Sequence, residues 1–198
     1  MKFDLVIAGV GGQGNILATQ VIAQCAIDAG LNVANTETKG AAQRGGSVTS
    51  HLRISDETIF SPLVPHGQAD ILLGLEPLEA FRHIALLSSN GKYIINTAPV
   101  PTILSNIKID TYPSQEQLLA DIQQRNLTGY FINATQEAKN IGDALLVNVV
   151  MLGAFSKVSN IVGDNVLLAK LLSLVDERYH QADKLAFECG RRLIRLEG

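Results

Sequence analysis

The chain has 198 residues, with 16 Lys+Arg against 19 Asp+Glu and a formal net charge of −3, a length that suits one α/β domain. Hydrophobic residues make up 46% and charged residues 18%, so enough aliphatic surface is present to offset the entropy of ordering, which excludes a disordered chain. The pI near 5.8 provides no basic field for phosphates and excludes a general nucleic-acid binder, while a charge content below the usual quarter or so points to a surface partly covered by another subunit.

The opening apolar run is too short for a signal h-region and is interrupted by Asp4. The most apolar stretch, Ala144 to Phe155, contains Asn148 and falls short of the ~18 residues a membrane span needs. No membrane segment and a cytoplasmic location are therefore expected. Cys25 and Cys189 are far apart and form no C-x-x-C pair, which argues against a disulfide framework or a cysteine-ligated zinc or iron–sulfur site in this chain.

In chain order, Phe3 to Ala8 reads as a buried strand. The cluster Gly9-Val10-Gly11-Gly12-Gln13-Gly14 follows, then a helix whose Ala18, Val21, Ile22, Cys25 and Ala29 recur at helical spacing until Gly30 ends it. Leu31 to Glu37 is a second strand, completing a βαβ unit with a right-handed crossover expected. Residues 38–46 are a loop rich in small residues. Ser47 to Ile54 alternates apolar and polar, predicting a strand with one exposed or partner-facing side. Ser55-Asp56-Glu57 reads as a turn into Thr58-Ile59-Phe60, an antiparallel excursion.

Asp70 to Leu75 returns to a buried strand, and Pro77 sits in the first turn of a helix running to about Leu87. Lys92 to Asn96 is a strand broken by Ala98-Pro99-Val100-Pro101. Ser114 with Gln117 forms a capping-box pattern for a helix to about Asn126, and Tyr130 to Ala134 is another strand. Helices are predicted over Lys139 to Lys157, Asn165 to Val175 and Glu177 to Leu196. Alternating strands and helices without repeats or linkers imply a single domain over 1–198: an α/β/α sandwich with a mostly parallel, mixed sheet.

Gly9, Gly11 and Gly14 satisfy G-x-G-x-x-G between strand and helix, a Rossmann-like start in which absent side chains let an anion approach the helix N-terminus. Glu37 lies near the position of a ribose-binding acid. A free-standing dinucleotide-binding module is one reading; close packing of strand, helix or another chain's backbone is the other.

Joined with Gly40-Ala41-Ala42-Gln43-Arg44-Gly45-Gly46-Ser47-Val48, and with Gly67-Gln68-Ala69-Asp70 and Leu73-Gly74-Leu75-Glu76-Pro77-Leu78-Glu79-Ala80 downstream, the glycine cluster resembles the gamma-type subunit of 2-oxoacid:ferredoxin oxidoreductases. The resemblance spans residues 3 to about 155 and is strongest to the small (beta) subunit of the indolepyruvate branch. Lys39 stands where relatives often carry His, and Ala41 where Met is common.

The resemblance implies oxidative decarboxylation of a 2-oxoacid, an aryl pyruvate in that branch, to an acyl-CoA with reduction of ferredoxin. It places thiamine diphosphate and [4Fe–4S] clusters in a larger partner subunit, takes CoA as co-substrate, and leaves this chain without a cofactor or catalytic residue of its own. Self-association of the isolated chain into a homo-oligomer stays open. Gly9, Gly11, Gly12, Gln13, Gly14, Gln43, Arg44, Gly45, Gly46 and Ser47 are the residues expected to face a cofactor or the partner. Arg44 is either a bidentate contact to carboxylate or phosphate, or an anchor to an acidic residue at the subunit interface.

Other candidates reduce to structure. His51, His66, His83 and His180 lack metal-ligand spacing, and His51 is read as a surface histidine on the polar side of its strand. Glu76 and Glu79 flank a helix start, where the dipole alone favours them, and Asp143 has the same reading. Cys25 and Cys189 fall on apolar helix faces and are assigned to the core. The helix from Asn140 to Phe155, with Leu145 and its neighbours, is apolar nearly all round and is read as the centre of the domain's own sandwich, as part of a subunit interface, or as both, while the last helix carries Ala182, Leu185, Ala186, Cys189, Leu193 and Leu196 on one face.

Overall fold

A computed structural model describes residues 1–40, 46–100 and 112–195. Six strands form one sheet: β1 (Lys2–Val10), β2 (Asn32–Lys39), β3 (Ser47–Ser55), β4 (Ala69–Gly74), β5 (Leu87–Asn96) and β6 (Thr128–Ile132), in the order β2-β3-β1-β4-β5-β6. β3 runs antiparallel to both β1 and β2, and the remaining pairs are parallel. The helices are α1 (Asn15–Asp28), α2 (Pro77–His83), α3 (Gln115–Gln123), α4 (Ala134–Ile141), α5 (Val147–Val158), α6 (Asp164–Leu174) and α7 (His180–Leu193).

Alternation along the strands builds two unequal cores. Leu5, Ile7, Leu52, Ile54, Ile71, Leu73 and Ile94 face α1 and α4 to α7. Val6, Ala8, Leu72, Tyr93 and Ile95 face the opposite way, against Ala80, Ile84 and Ile122 of the segments containing α2 and α3. The expected three-layer α/β/α sandwich with a mixed sheet is present.

β1 and β2 are not neighbours. β3 folds back from β2 and inserts between them, so that Ser47 to Ser55 pairs with Val10 to Lys2 on one side and Val48 to Ser55 with Lys39 to Asn32 on the other. The antiparallel excursion is therefore β3 itself, and Thr58 to Phe60 lie outside any strand. The alternation of β3 predicts one exposed or partner-facing side; instead Thr49, Ser50, His51 and Ser55 are all buried within this chain.

The row of polar side chains on one face is matched position by position. Ser47 Oγ donates to Glu79 at 2.5 Å, Thr49 Oγ1 lies 2.7 Å from His83 Nε2, and His51 Nδ1 accepts from the Val64 N–H at 3.2 Å. Arg53 Nε donates to Asp4 at 2.8 Å, and the Asp4 side chain has no exposure. Polar alternation thus marked a face that bonds to its cover rather than to water. His51 is correspondingly a buried histidine, not a surface one.

The predicted helix from Lys139 to Lys157 is two. Gly142, at φ 135°, ends α4, and Asp143 then accepts from the Leu145 N–H and opens a 3₁₀ turn into α5. Leu145 sits on that turn and is 71% exposed, and Leu185 of α7 is also exposed, so neither belongs to the core. Every residue from Val147 to Ser156 is buried. Helix α5 is the spine of the larger core, and Cys25 and Cys189 are buried as expected. Ser114 caps α3 by accepting from the Gln117 N–H at 3.2 Å. The last helix stops at Leu193; Leu196, predicted as its end, and Pro101 lie outside the described residues.

Candidate functional site

The carboxyl ends of the parallel strands share one rim of the sheet with the end of β2 and the start of β3. The chain leaves β1 toward β2 and leaves β4 toward β5, so the crevice between β1 and β4 is the topological switch point where doubly wound sheets receive ligands. Gly9 lies near the end of β1, Gly11, Gly12, Gln13 and Gly14 carry the chain from β1 into α1 at this point, and Gly46 precedes Ser47, which opens β3 beside them. The Gly11 N–H donates to the Gly46 carbonyl at 2.9 Å, and Gly40 N to Ser47 O at 2.8 Å closes the stem of the second loop. Both motifs therefore meet at one place. Gln43, Arg44 and Gly45 lie outside the described residues.

The crevice is bridged by the chain's own Gln13. Its Oε1 accepts from the Val10 N–H at 2.9 Å and its Nε2 donates to the Leu75 carbonyl at 3.1 Å. Asn96 Nδ2 donates to the same carbonyl at 3.0 Å and to Thr135 Oγ1 at 2.9 Å. A Cβ on Gly9 would lie 2.8 Å from Gln13 Oε1, 2.9 Å from Asn15 Oδ1 and 3.1 Å from Leu75 Cβ, so that Gln13 and Asn15 would have to shift. Gly14, at φ 82°, is abutted by the Asn148 side chain from α5. The space at these two glycines is taken by amide side chains of the same chain.

The topology does not favour the dinucleotide reading either. With β3 inserted, Glu37 stands on an edge strand two strand spacings from β1, roughly 10 Å away where an adjacent strand gives about 5 Å. Its carboxylate pairs with Lys39 at 3.2 Å. Glu37 is thereby removed from the glycine turn it was expected to serve.

Two carboxylates that the sequence assigned to the helix dipole hold the rim together. Glu76 caps α2, its Oε2 accepting from the Glu79 N–H at 2.9 Å. Its Oε1 accepts from the Val100 N–H at 3.3 Å and from the Tyr112 hydroxyl. Glu79 is buried, takes the Ser47 hydroxyl and pairs with Arg82 at 2.6 Å. The first turn of α2 therefore ties down the stem of the Gln43–Arg44 loop through Glu79, and Val100 and Tyr112 through Glu76. The sequence shows only the spacing Glu-x-x-Glu; the partners Ser47, Val100 and Tyr112 come from distant segments.

Burial pushes the Glu76 carboxyl up, against the bonds from Tyr112 and from the two N–H groups. Burial likewise lowers both His51 and His83, with mutual repulsion adding to the effect on His51; for His83, Glu79 opposes the shift and Arg82 adds to it. A histidine whose folded pKa is depressed leaves stability intact above its ordinary value of about 6.5, and that stability is lost as pH falls through the lowered folded value. Glu76 contributes with the opposite sign, its share being lost as pH rises through its raised value. The midpoint of denaturant unfolding is therefore expected to fall as pH is taken from 7.5 toward 5. His51→Gln is expected to flatten that slope; an equally steep profile in the variant would remove His51 as its source.

Among the described residues no group of three His, Cys, Asp or Glu could hold a metal ion. No helix among them is long and apolar enough to cross a membrane. Burial raises the Cys25 thiol to about 11 and also pushes up Cys189, which makes both poor thiolates.

The fold and this rim define a class: a mixed-sheet α/β/α chain that closes its own switch point and brings the glycine turn after β1 against Gly46 at the start of β3. The family model for pyruvate ferredoxin/flavodoxin oxidoreductase matches residues 4–193. The chain belongs to that family. It is 38% identical over 155 residues to the indolepyruvate oxidoreductase subunit IorB of Archaeoglobus fulgidus, covering 77% of this chain and 75% of the relative. To the 2-oxoglutarate synthase subunit KorC of Methanothermobacter marburgensis it is 28% identical over 200 residues, covering 100% and 99%. The crystal structure of a keto/oxoacid ferredoxin oxidoreductase gamma subunit from Geobacter sulfurreducens superposes with a TM-score of 0.70 at 26% identity, covering 96% of each chain.

Proposed function

We propose that this chain, acting as one gamma-type domain in the cytoplasm, is the small subunit of a 2-oxoacid:ferredoxin oxidoreductase. The substrate is an aryl pyruvate such as indolepyruvate, decarboxylated oxidatively to an acyl-CoA while ferredoxin is reduced. The observation that carries this reading is the bond from Gly11 to Gly46, which joins both small-residue motifs at one rim while Gln13 fills the crevice a nucleotide would need.

An iron–sulfur cluster does not fit the residues present. Cys25 and Cys189 are buried on different helices as protonated thiols, and among the described residues no third ligand gathers near them. The clusters and thiamine diphosphate belong to a larger partner subunit, and CoA is taken up by the complex. This chain's residues do the work of an interface. Backbone approach is unobstructed at Gly12, where an added Cβ would meet nothing within 4 Å. Arg44 supplies a bidentate contact to a carboxylate of the partner or of the substrate.

The isolated chain is expected to be colourless and inactive, to bind no NAD(H), NADP(H) or FAD, and to form a stable complex when co-expressed with a large cluster-bearing subunit. Arg44→Ala is expected to weaken assembly by about 2 kcal/mol, or to lower turnover correspondingly, without unfolding the chain. Unchanged assembly and turnover would take Arg44 out of the interface, and saturable micromolar binding of a dinucleotide by the lone chain would overturn the whole reading.

A further inference from the structure

His51 and His83 belong to the same polar row, but their bonding partners differ in kind. His83 Nε2 lies 2.7 Å from the Thr49 hydroxyl, which can donate or accept, so a proton added to His83 leaves that bond intact. His51 Nδ1 accepts from the Val64 N–H at 3.2 Å, and a backbone N–H can only donate. The neutral His51 ring therefore carries its proton on Nε2. A second proton has only Nδ1 to occupy, where it points at the Val64 N–H.

Val64 lies in the connection of residues 56–68, which joins β3 to β4 without helix or strand. On either side of Val64 this connection is fastened by bonds in which no histidine takes part. Arg53 Nη1 donates to the Ser61 carbonyl at 3.1 Å and reaches the Leu63 carbonyl at 3.5 Å. The Gly67 and Gln68 N–H groups donate to the Ala85 and Leu86 carbonyls, each at 3.0 Å. Between these fastenings Pro65 has no N–H to offer, and Val64 is held by its own N–H and by a side chain buried in the smaller core.

We propose that His51 is an acid-released catch: a proton at Nδ1 replaces the acceptor of the Val64 N–H by a donor, Val64 leaves its seat in the smaller core, and the stretch from Val64 to His66 opens while the sheet stays folded. The loss of stability expected toward pH 5 begins at this point.

The groups packed around His51 support that assignment. Directly opposite it stand Val6 of β1 and Thr36 of β2, which do not titrate. On its own strand Arg53 is held by the buried Asp4 of β1, which also pairs with Lys2 and whose N–H donates to Asp70 of β4. Helix α2 brings His83 and, beyond it, Glu79 paired with Arg82. The connection itself brings Asp56, Glu57 and His66, all exposed. Burial, with repulsion from His83 added, holds His51 below the ordinary histidine value, so the catch is shut at neutral pH and is released in acid.

Amide hydrogen exchange of the full chain tests this. The Val64 protection factor is expected to fall about tenfold per pH unit from roughly 6.5 down to the lowered value of His51, and then to level off. Ile7 and Leu72, in the middle of the sheet, are expected to stay at least about a hundredfold better protected throughout. Val64 exchanging in step with Ile7 and Leu72 overturns the proposal, since acid then unfolds the domain as a whole. So does a proton found on Nδ1 of His51 at neutral pH by nitrogen NMR. Both are read on the wild-type chain. His51→Asn, whose side-chain oxygen accepts from the Val64 N–H without titrating, is expected to remove the pH dependence of Val64 in that interval, and His83→Asn to leave it in place. A dependence that survives His51→Asn, or vanishes with His83→Asn, assigns the trigger to another group and overturns the role of His51.

Discussion

Alanine at Gly190 is expected to cost the fold about 3–5 kcal/mol, at the upper end of what overpacking does. Helices α5 and α7 cross with their backbones in contact. A Cβ on Gly190 would run into the Val150 carbonyl of α5, and one on Gly153 into the Phe187 carbonyl of α7. These obstacles are backbone atoms of two buried helices, so no side chain can rotate away. The helices have to part, and the buried side chains around them, Phe155 and Phe187 among them, lose contact. Against a total stability of about 5–15 kcal/mol this is a large fraction, and a fall in Tm of roughly 10 °C or more is expected. Gly163→Ala is the control: a Cβ there meets nothing within 4 Å, and a shift within about 1 kcal/mol is expected for this change at a helix cap. Equal melting curves for Gly190→Ala and Gly163→Ala would mean that the close crossing is not required.

The second large effect is expected at Glu79, on function more than on stability. Its buried carboxylate accepts the Ser47 hydroxyl at 2.5 Å and so fixes the start of β3, directly after Gly46 and the Gln43–Arg44 loop. A bond to an ionised, buried acceptor contributes about 1.5–3 kcal/mol. The Arg82 partner is half exposed and adds little, since water screens it. Glu79→Ala is expected to destabilise the chain by about 2–3 kcal/mol and to lower kcat of the assembled enzyme roughly tenfold to a hundredfold through misplacement of the loop.

Glu79→Gln keeps an acceptor for Ser47 and is expected to recover most of the turnover. Because both act through one bond, Ser47→Ala combined with Glu79→Ala is expected to cost little more than Glu79→Ala alone. Strictly additive losses in kcat would show that Glu79 supports the domain in general and does not position the loop.

The sequence shows the geometry of the rim only where the backbone itself carries the signal. Clusters of glycine state where a chain must turn tightly or be approached closely, and the bond from Gly11 to Gly46 joins the two clusters. What they make room for was hidden, because the groups that enter the space are amides. Gln13 and Asn15 are local but have several rotamers open to them, and Asn148 is more than a hundred residues away from Gly14. Glu76 and Glu79 were discounted for a similar reason. A first-turn carboxylate has a sufficient local explanation in the helix dipole, and only the packing of Ser47, Val100 and Tyr112 around it reveals a further one.

By itself the order of apolar and polar residues determined an α/β layered fold, the location of the six strands to within a few residues, and a core built on the helix around Met151. Those features follow from short-range periodicity, which the chain expresses wherever it is placed. Strand order was decided by tertiary structure alone: period-two alternation tells how the two faces of β3 differ, but neither which strands flank it nor whether its polar face meets water or a row of buried partners. That row, with Gln13 closing the switch point and Glu37 displaced to the sheet edge, exists only once segments distant in sequence are packed together, because hydrogen-bonding groups become satisfied, and so buriable, by their partners rather than by their own position in the chain.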